Sequence, residues 1–409
     1  RLQGDWSSDV CSSDLGIQNK TSEKIATLQK IFNQYPKSIY FDDALYEAAN
    51  ASLVKGDNDQ AGIWYKKIIN DYPQSSYVKK AMLGLGLVQY NSKQDEAAMA
   101  TYKSVVNKYP NTTESKEALA QLKNIAVSQN KVDDYLAYIK NVPNADVSLA
   151  AQDSLVYESA ELRYTQGNCE SAVKEMDNYL NKFPEGAFRV NAAYYKADCQ
   201  YRDKQYETAL TGYNFVISQS KNAFTEKSLL NAALINFRLK QFNNAQSNFE
   251  QLEAVAEVRD NIIAAQAGQM RCAYKLLQYD KAISNADKLI GSTADKDLQN
   301  EAHLIKGLCS MAKEDLTTAK AELTIVSKRT NSEMTAEANY NLAVIEYKLT
   351  NYKECKEQVI KLQDQVPSYD FWVAKGFILL GDNYLAQRDT FQAKETYKSI
   401  IEKIGRAHV

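Results

Sequence analysis

One slot, usually filled by alanine, returns along this chain every 36 to 38 residues, and that period constrains the fold more than any other feature. The equivalent positions are Lys24, Ala61, Ala98, Tyr135, Ala172, Ala209, Ala245, Ala282, Ala319, Cys355 and Ala393. Periods of this size belong to solenoids, in which a short unit cannot bury its own apolar face and stacks on its neighbours. Four residues after the anchor stand Tyr65, Tyr102, Tyr213, Phe249 and Tyr397, and seven after it Ile68, Val105, Val216, Leu252 and Leu289. Offsets of 0, 4 and 7 share one face of an α-helix. Twelve after the anchor comes Pro36, Pro73, Pro110, Pro184 or Pro367. The residue before a proline is driven out of the α region, so this second helix ends there. Twelve before the anchor the residue is small, as at Ala49, Gly86, Ala160, Ala197, Ala233, Gly307, Ala343 and Gly381. Small residues there predict close approach of a first helix to the second.

These columns divide the chain into ten helix pairs, A then B, behind a single helix over Thr21–Tyr35. Helix A is expected to start near Asp42, Tyr77, Ser115, Ser148, Asn191, Thr225, Asn261, Asp297, Thr335 and Phe371. Helix B is expected near Asn58, Gln94, Val132, Asn168, Tyr206, Phe242, Tyr279, Leu316, Tyr352 and Thr390. Pro143 comes early and shortens one helix B. An extra residue is expected before Phe391. The inner face of the first helix (Ile25, Leu28, Ile31, Phe32) is apolar and calls for a cover.

The small residue in helix A, the aromatic before helix B (Tyr206, Phe242, Tyr279, Tyr352), the anchor alanine, the aromatic four later and the proline resemble the tetratricopeptide repeat family. The resemblance spans nearly the whole chain. It implies an all-α solenoid of helix-turn-helix units, wound as a right-handed superhelix. The period exceeds the family's usual ~34 by about three residues, which points to longer A–B loops or helix ends. The phrases QYPKS, DYPQS, KYPNT and KFPEG resemble a subgroup of bacterial envelope proteins, including Tol–Pal-associated and outer-membrane-assembly lipoproteins. A periplasmic or outer-membrane location is what that implies.

The ends read differently from the repeats. DNA that encodes Ile404–Val409 can, on its opposite strand, encode Asp9 to Asp14, and Gly4 to Leu15 resembles a translated sequencing adapter. Residues 1–15 and 404–409 are therefore expected to be foreign, with one continuous solenoid over 16–403. On that reading a signal peptide, lipid anchor or further domain would lie beyond the sequence.

The formal charge of −2 gives no nucleic-acid footprint, and no apolar run is long enough to span a bilayer. No cofactor, metal or catalytic constellation stands out. The most pointed feature is an aromatic column eight residues before the anchor: Tyr90, Tyr164, Tyr201, Phe237, Tyr274 and Tyr347, with Tyr384 joining if the last A–B loop is longer. In the proteins this chain resembles, helix A lines a concave groove. The column is then either a ladder of anchors for a peptide or glycan, or packing between adjacent A helices. The polar column before it (Gln89, Arg163, Gln200, Asn236, Glu346) suggests a nearby solvent boundary. Cys199, Cys272 and Cys309 share one column a repeat or more apart, too far for a mutual disulfide or a single metal. With Cys169 and Cys355 they read as small buried apolar residues. His303 falls on the packing side of its helix A. Asn50 and Asn124 match a carboxylate-clamp position of chaperone-binding relatives, but Leu87 intervenes and the clamp does not carry over.

The expected function is a non-catalytic scaffold of a bacterial cell envelope, binding a partner protein or peptide in its groove. A glycan-capturing outer-membrane lipoprotein is the first alternative, although the even repeat spacing leaves little room for a sugar site. The second is a substrate-docking arm of a truncated larger enzyme.

Overall fold

The computed structural model describes residues 20–407 except 330, 331 and 366, with side chains described as far as residue 400. Of the end segments expected to be foreign, residues 1–15 lie outside the described residues, and only the backbone of 404–407 lies inside. Among the described residues there are 21 helices and no strand. The single helix is α1 (Thr21–Gln34). The first pairs are α2 (Phe41–Lys55) with α3 (Asn58–Asp71), α4 (Val78–Asn91) with α5 (Asp95–Lys108), and α6 (Thr113–Ser128) with α7 (Val132–Ile139). Next come α8 (Leu149–Thr165) with α9 (Cys169–Lys182), α10 (Arg189–Arg202) with α11 (Tyr206–Ser218), and α12 (Thr225–Arg238) with α13 (Phe242–Val255). The last are α14 (Arg259–Lys275) with α15 (Tyr279–Ser292), α16 (Lys296–Ala312) with α17 (Leu316–Ser327), α18 (Glu333–Lys348) with α19 (Tyr352–Gln363), and α20 (Asp370–Ala386) with α21 (Thr390–Ala407). Even numbers are thus helix A. Every helix begins within two residues of its expected start.

The columns act as their chemistry requires. The anchor alanines and Cys355 are at most 1 % exposed. A Cβ on Gly86 would stand 2.6 Å from the Tyr102 ring, and one on Gly381 2.3 Å from Tyr397. The small residue of helix A therefore receives the ring of its own helix B, and the two backbones approach. Tyr35, Tyr72, Tyr109 and Phe183, each before a proline, leave the helix with ψ between 54° and 66°. α7, cut short ahead of Pro143, has 8 residues. Leu28 of α1 is buried, and Phe32 packs on Phe41 and edge-on against Trp64, so α2 and α3 already cover part of the face that lacked a partner.

The A–B turn carries no residue signature, yet its backbone is the same in all ten pairs. The residue five before the anchor has positive φ each time: Gly56, Lys93, Asn130, Gly167, Lys204, Lys240, Leu277, Glu314, Thr350 and Arg388. Its N–H bonds to the carbonyl three back and the next N–H to the carbonyl five back, as with Lys204 to Tyr201 (3.0 Å) and Gln205 to Gln200 (2.8 Å). This is the Schellman closure of a helix C-terminus. Two backbone bonds fix the turn's length, so of the two places expected for the added length the A–B loops stay short, while several A helices, such as α8 and α14, run to 17 residues. In the last pair Arg388 bonds to Leu385 and Asp389 to Tyr384. That turn matches the others, and no extra residue stands before Phe391. The added length lies in the connection ahead of α20, and elsewhere in B-to-A connections such as 72–77 and 140–148.

The chain forms two compact units, residues 1–199 and 200–409. In the first, α2 packs on α4, α4 on α6 and α6 on α8, besides their neighbours in sequence. In the second, α12 packs on α14, α14 on α16, α16 on α18 and α18 on α20. Helix A therefore lines the inner side of each stack.

Candidate functional site

In the first unit a cavity of about 370 Å³ opens between α2, α4 and α6 on the inner side. Its walls are Tyr46, Leu53, Leu83 and Leu87, with Asn50, Lys80, Glu114, Glu117 and Gln121 around them. Its floor is built by helix B: Tyr65 and Tyr102 reach through from behind. Gly84 makes this possible, since a Cβ there would meet the Tyr65 ring at 2.4 Å. The Tyr65 hydroxyl donates to Asn50 Oδ1 at 2.6 Å, and burial pushes the Tyr102 phenol up to about 12. Both phenols stay protonated at neutral pH and serve as neutral donors and acceptors. Leu87, which stands between Asn50 and Asn124 in the clamp column, is 36 % exposed and contributes apolar surface here. The site is a half-open recess, as polar as it is apolar, in which leucine side chains stand beside convergent polar groups, a form suited to holding a side chain. Helix spacing in the sequence identified Tyr65 and Tyr102 as core, but gave no sign that they form a cavity floor, because that depends on Gly84 of the following pair.

The expected aromatic column lies elsewhere. Tyr90 is 37 % exposed, while Tyr164, Tyr201, Phe237, Tyr274, Tyr347 and Tyr384 are half-buried. Tyr164 stacks on Tyr195 at 4.3 Å and donates to Asp198 at 2.9 Å. Tyr201, Phe237 and Tyr347 stand against Tyr206, Phe242 and Tyr352, the aromatics that open helix B in their own pairs. The hydrogen bonds of the last turn give Leu385 the place of this column and move Tyr384 one position back, where Lys356 lies 5.6 Å over its ring. None of the seven lines the cavity. Of the polar column before them, Gln89 and Arg163 are half-buried, while Gln200, Asn236 and Glu346 are buried. Glu346 is held there by Lys320 at 2.6 Å and by an amide donor from Asn351.

Two further groups depart from the expected picture. Cys169 and Cys199 form a disulfide, with their Cα atoms 5.1 Å apart. It joins the first residue of α9 to the last turn of α10. Comparing cysteines within one column could not find this bond, because its partners sit in different columns of successive pairs. Cys272, Cys309 and Cys355 are buried free thiols, and burial pushes them up to about 12, 11 and 11. His303 Nδ1 lies 2.6 Å from Glu322, whose other oxygen meets Lys306 at 2.8 Å, and Lys306 reaches Asp287 at 2.7 Å. Burial raises the Glu322 carboxyl, but the hydrogen bonds from His303 and Lys306 outweigh it and hold the group below its ordinary value. Among the described residues no group of three potential ligands could hold a metal, and no helix is long and apolar enough to cross a membrane.

The architecture is an all-α solenoid of the tetratricopeptide type. One tetratricopeptide repeat model matches residues 43–75, 80–112 and 377–403, and a second matches 157–214. These stretches coincide with α2–α3, α4–α5, α20–α21 and the run from α8 into α11. No curated protein matches the chain. Similar solved structures include a tetratricopeptide repeat protein from Parabacteroides merdae, 16 % identical, covering 61 % of this chain and 92 % of that one with a TM-score of 0.38. Another is YrrB, a tetratricopeptide repeat protein with an unusual peptide-binding site, 18 % identical, covering 48 % and 95 % with a TM-score of 0.38. A third is the P58(IPK) tetratricopeptide domain, 13 % identical, covering 96 % and 98 % with a TM-score of 0.26.

Proposed function

We propose that this chain is a non-catalytic scaffold that holds a partner protein through an extended peptide docked on the inner face of its first unit. The observation that carries this reading is the recess between α2, α4 and α6. Leu53, Leu83 and Leu87 leave apolar surface open there beside amide and carboxylate groups, the combination that fixes a side chain and its orientation. The test is a peptide-array screen followed by titration of the best binder. Leu87→Glu, a surface change, is expected to weaken that binder about tenfold or more with an unchanged helical spectrum. Retained affinity in this variant sinks the reading. An oxidising compartment, such as the periplasm of a bacterial envelope, is the setting we propose. The Cys169–Cys199 disulfide supports it, because such bonds persist outside the reducing cytosol. Alkylation of the protein in its native host, before and after reduction, reads this directly. Recovery of Cys169 and Cys199 as free thiols overturns it.

A further inference from the structure

The floor of the inner recess contains a polar group that the fold leaves unused. Tyr102 lines the recess and is 1 % exposed, yet its hydroxyl has no hydrogen-bond partner among the described residues. Tyr65 beside it gives its proton to Asn50, so its oxygen can still accept one. The charge around the recess is mainly of one sign. Over α2, α4, α6 and α8, the columns that supply its lining carry Asp43, Glu47, Glu114, Glu117, Glu158 and Glu161, against the single cation Lys80. Lys24 meets Glu47 at 2.5 Å, and Lys79 stands 3.9 Å from Glu114. Asp43, Glu117, Glu158 and Glu161 form no ion pair among the described residues. Asp43 and Glu161 accept phenol protons, from Tyr77 and Tyr157, and so keep their charge. The exposed Lys80 offsets one of these four, and a surplus of negative charge remains. Glu117 is felt at the floor itself, where its charge adds to burial in raising the Tyr102 phenol.

We propose that the recess takes an arginine or lysine side chain, and that the partner segment is a basic peptide whose further cations meet Glu158 and Glu161 on α8; this rests on the recess being a peptide site. The methylene stem of such a side chain packs on Leu53, Leu83 and Leu87. Its cationic head reaches tyrosine rings, the two phenol oxygens and Glu117. An acidic side chain would meet Glu117 instead, and a purely apolar one would leave the buried Tyr102 hydroxyl without a partner. The test uses the full chain and a fluorescein-labelled peptide of about ten residues, enough to cross four A helices when extended. Its arginines are spaced by leucine and serine, and two further probes carry glutamine or glutamate in their place. The arginine probe is expected to bind about tenfold tighter than the glutamine probe, and the glutamate probe weakest. Glu117→Gln and Tyr102→Phe each reduce its affinity, and Lys80→Gln raises it, with helical content unchanged in all three. Equal affinity for the arginine and glutamine probes overturns the proposal, as does a loss on Lys80→Gln. Equal loss on Asp59→Asn, exposed on α3 outside the recess lining, would mean diffuse attraction and refute the site. A glutamine or glutamate probe that binds best and weakens on Leu87→Glu removes the basic occupant and leaves the peptide reading standing. Binding by none of the three probes, nor by any array peptide, removes both.

Discussion

At the scale of single residues, the ten A–B turns show a backbone demand met by unlike side chains. Only Gly56 and Gly167 are glycine, although every residue at this place has positive φ. For an ordinary L-residue that conformation costs about 1–2 kcal/mol, and a β-branched side chain suffers most. Thr350, at φ 61°, is the poorest fit of the ten. Thr350→Gly is therefore expected to stabilise the chain by about 1 kcal/mol after glycine's own entropy loss. Asn130→Gly, at φ 57°, should gain less, since asparagine tolerates the left-handed region. Chemical denaturation of the two variants decides the order, and a loss at Thr350 would refute the argument. The turn's position was legible from helix periodicity, but its handedness was not. Lys, Leu, Glu, Thr and Arg carry no left-handed signal, and the two backbone hydrogen bonds that enforce it are invisible in residue identities.

At the scale of helices and their joints, two contacts outside the repeat pattern matter most. The Cys169–Cys199 bond closes a loop of 30 residues between successive pairs. In the chain-entropy account a loop of this size contributes about 3–4 kcal/mol. Cys199→Ala, or reduction of the wild type, should lower the denaturation midpoint, and reduction should have no further effect on the variant. The second joint is the Glu322 network between α15, α16 and α17. A carboxylate held below its ordinary value contributes stability that is present above about pH 4.5 and is lost as pH falls through the depressed folded value. Acid titration of the wild type and Glu322→Gln, followed by circular dichroism, should show the wild type losing stability more steeply below pH ~4.5. Parallel curves would remove Glu322 from the account. Neither joint was readable in advance, because each unites residues of different columns, and both reach across to a neighbouring pair. The pairs themselves were readable almost to the residue, since anchor, proline and small-residue columns are local and recur.

At the scale of the molecule, contacts between helices run between neighbours, so protection should follow position in the stack. α1 packs mainly on α2 and has no helix on its other side among the described residues. Its amides should exchange with deuterium well before those of α13 to α16, which have helices on both sides. Equal protection of α1 and α13 to α16 would refute this expectation. The candidate recess was the least legible feature of the whole. The aromatic column that the sequence singled out lies largely at the closing turns of the A helices. The recess depends instead on Gly84 letting Tyr65 through from behind.

The disulfide also bears on how the chain responds to force. If the protein is stretched between its ends, most of it can pay out as extended backbone, but the 30-residue span from Cys169 to Cys199 is short-circuited by a covalent bond. About 100 Å of contour at ~3.4 Å per residue stays withheld from the tether until that bond is reduced. The joint between α9 and α10 thus acts as a rivet in a chain of otherwise separable links, and oxidation state sets how far a partner can be carried under tension.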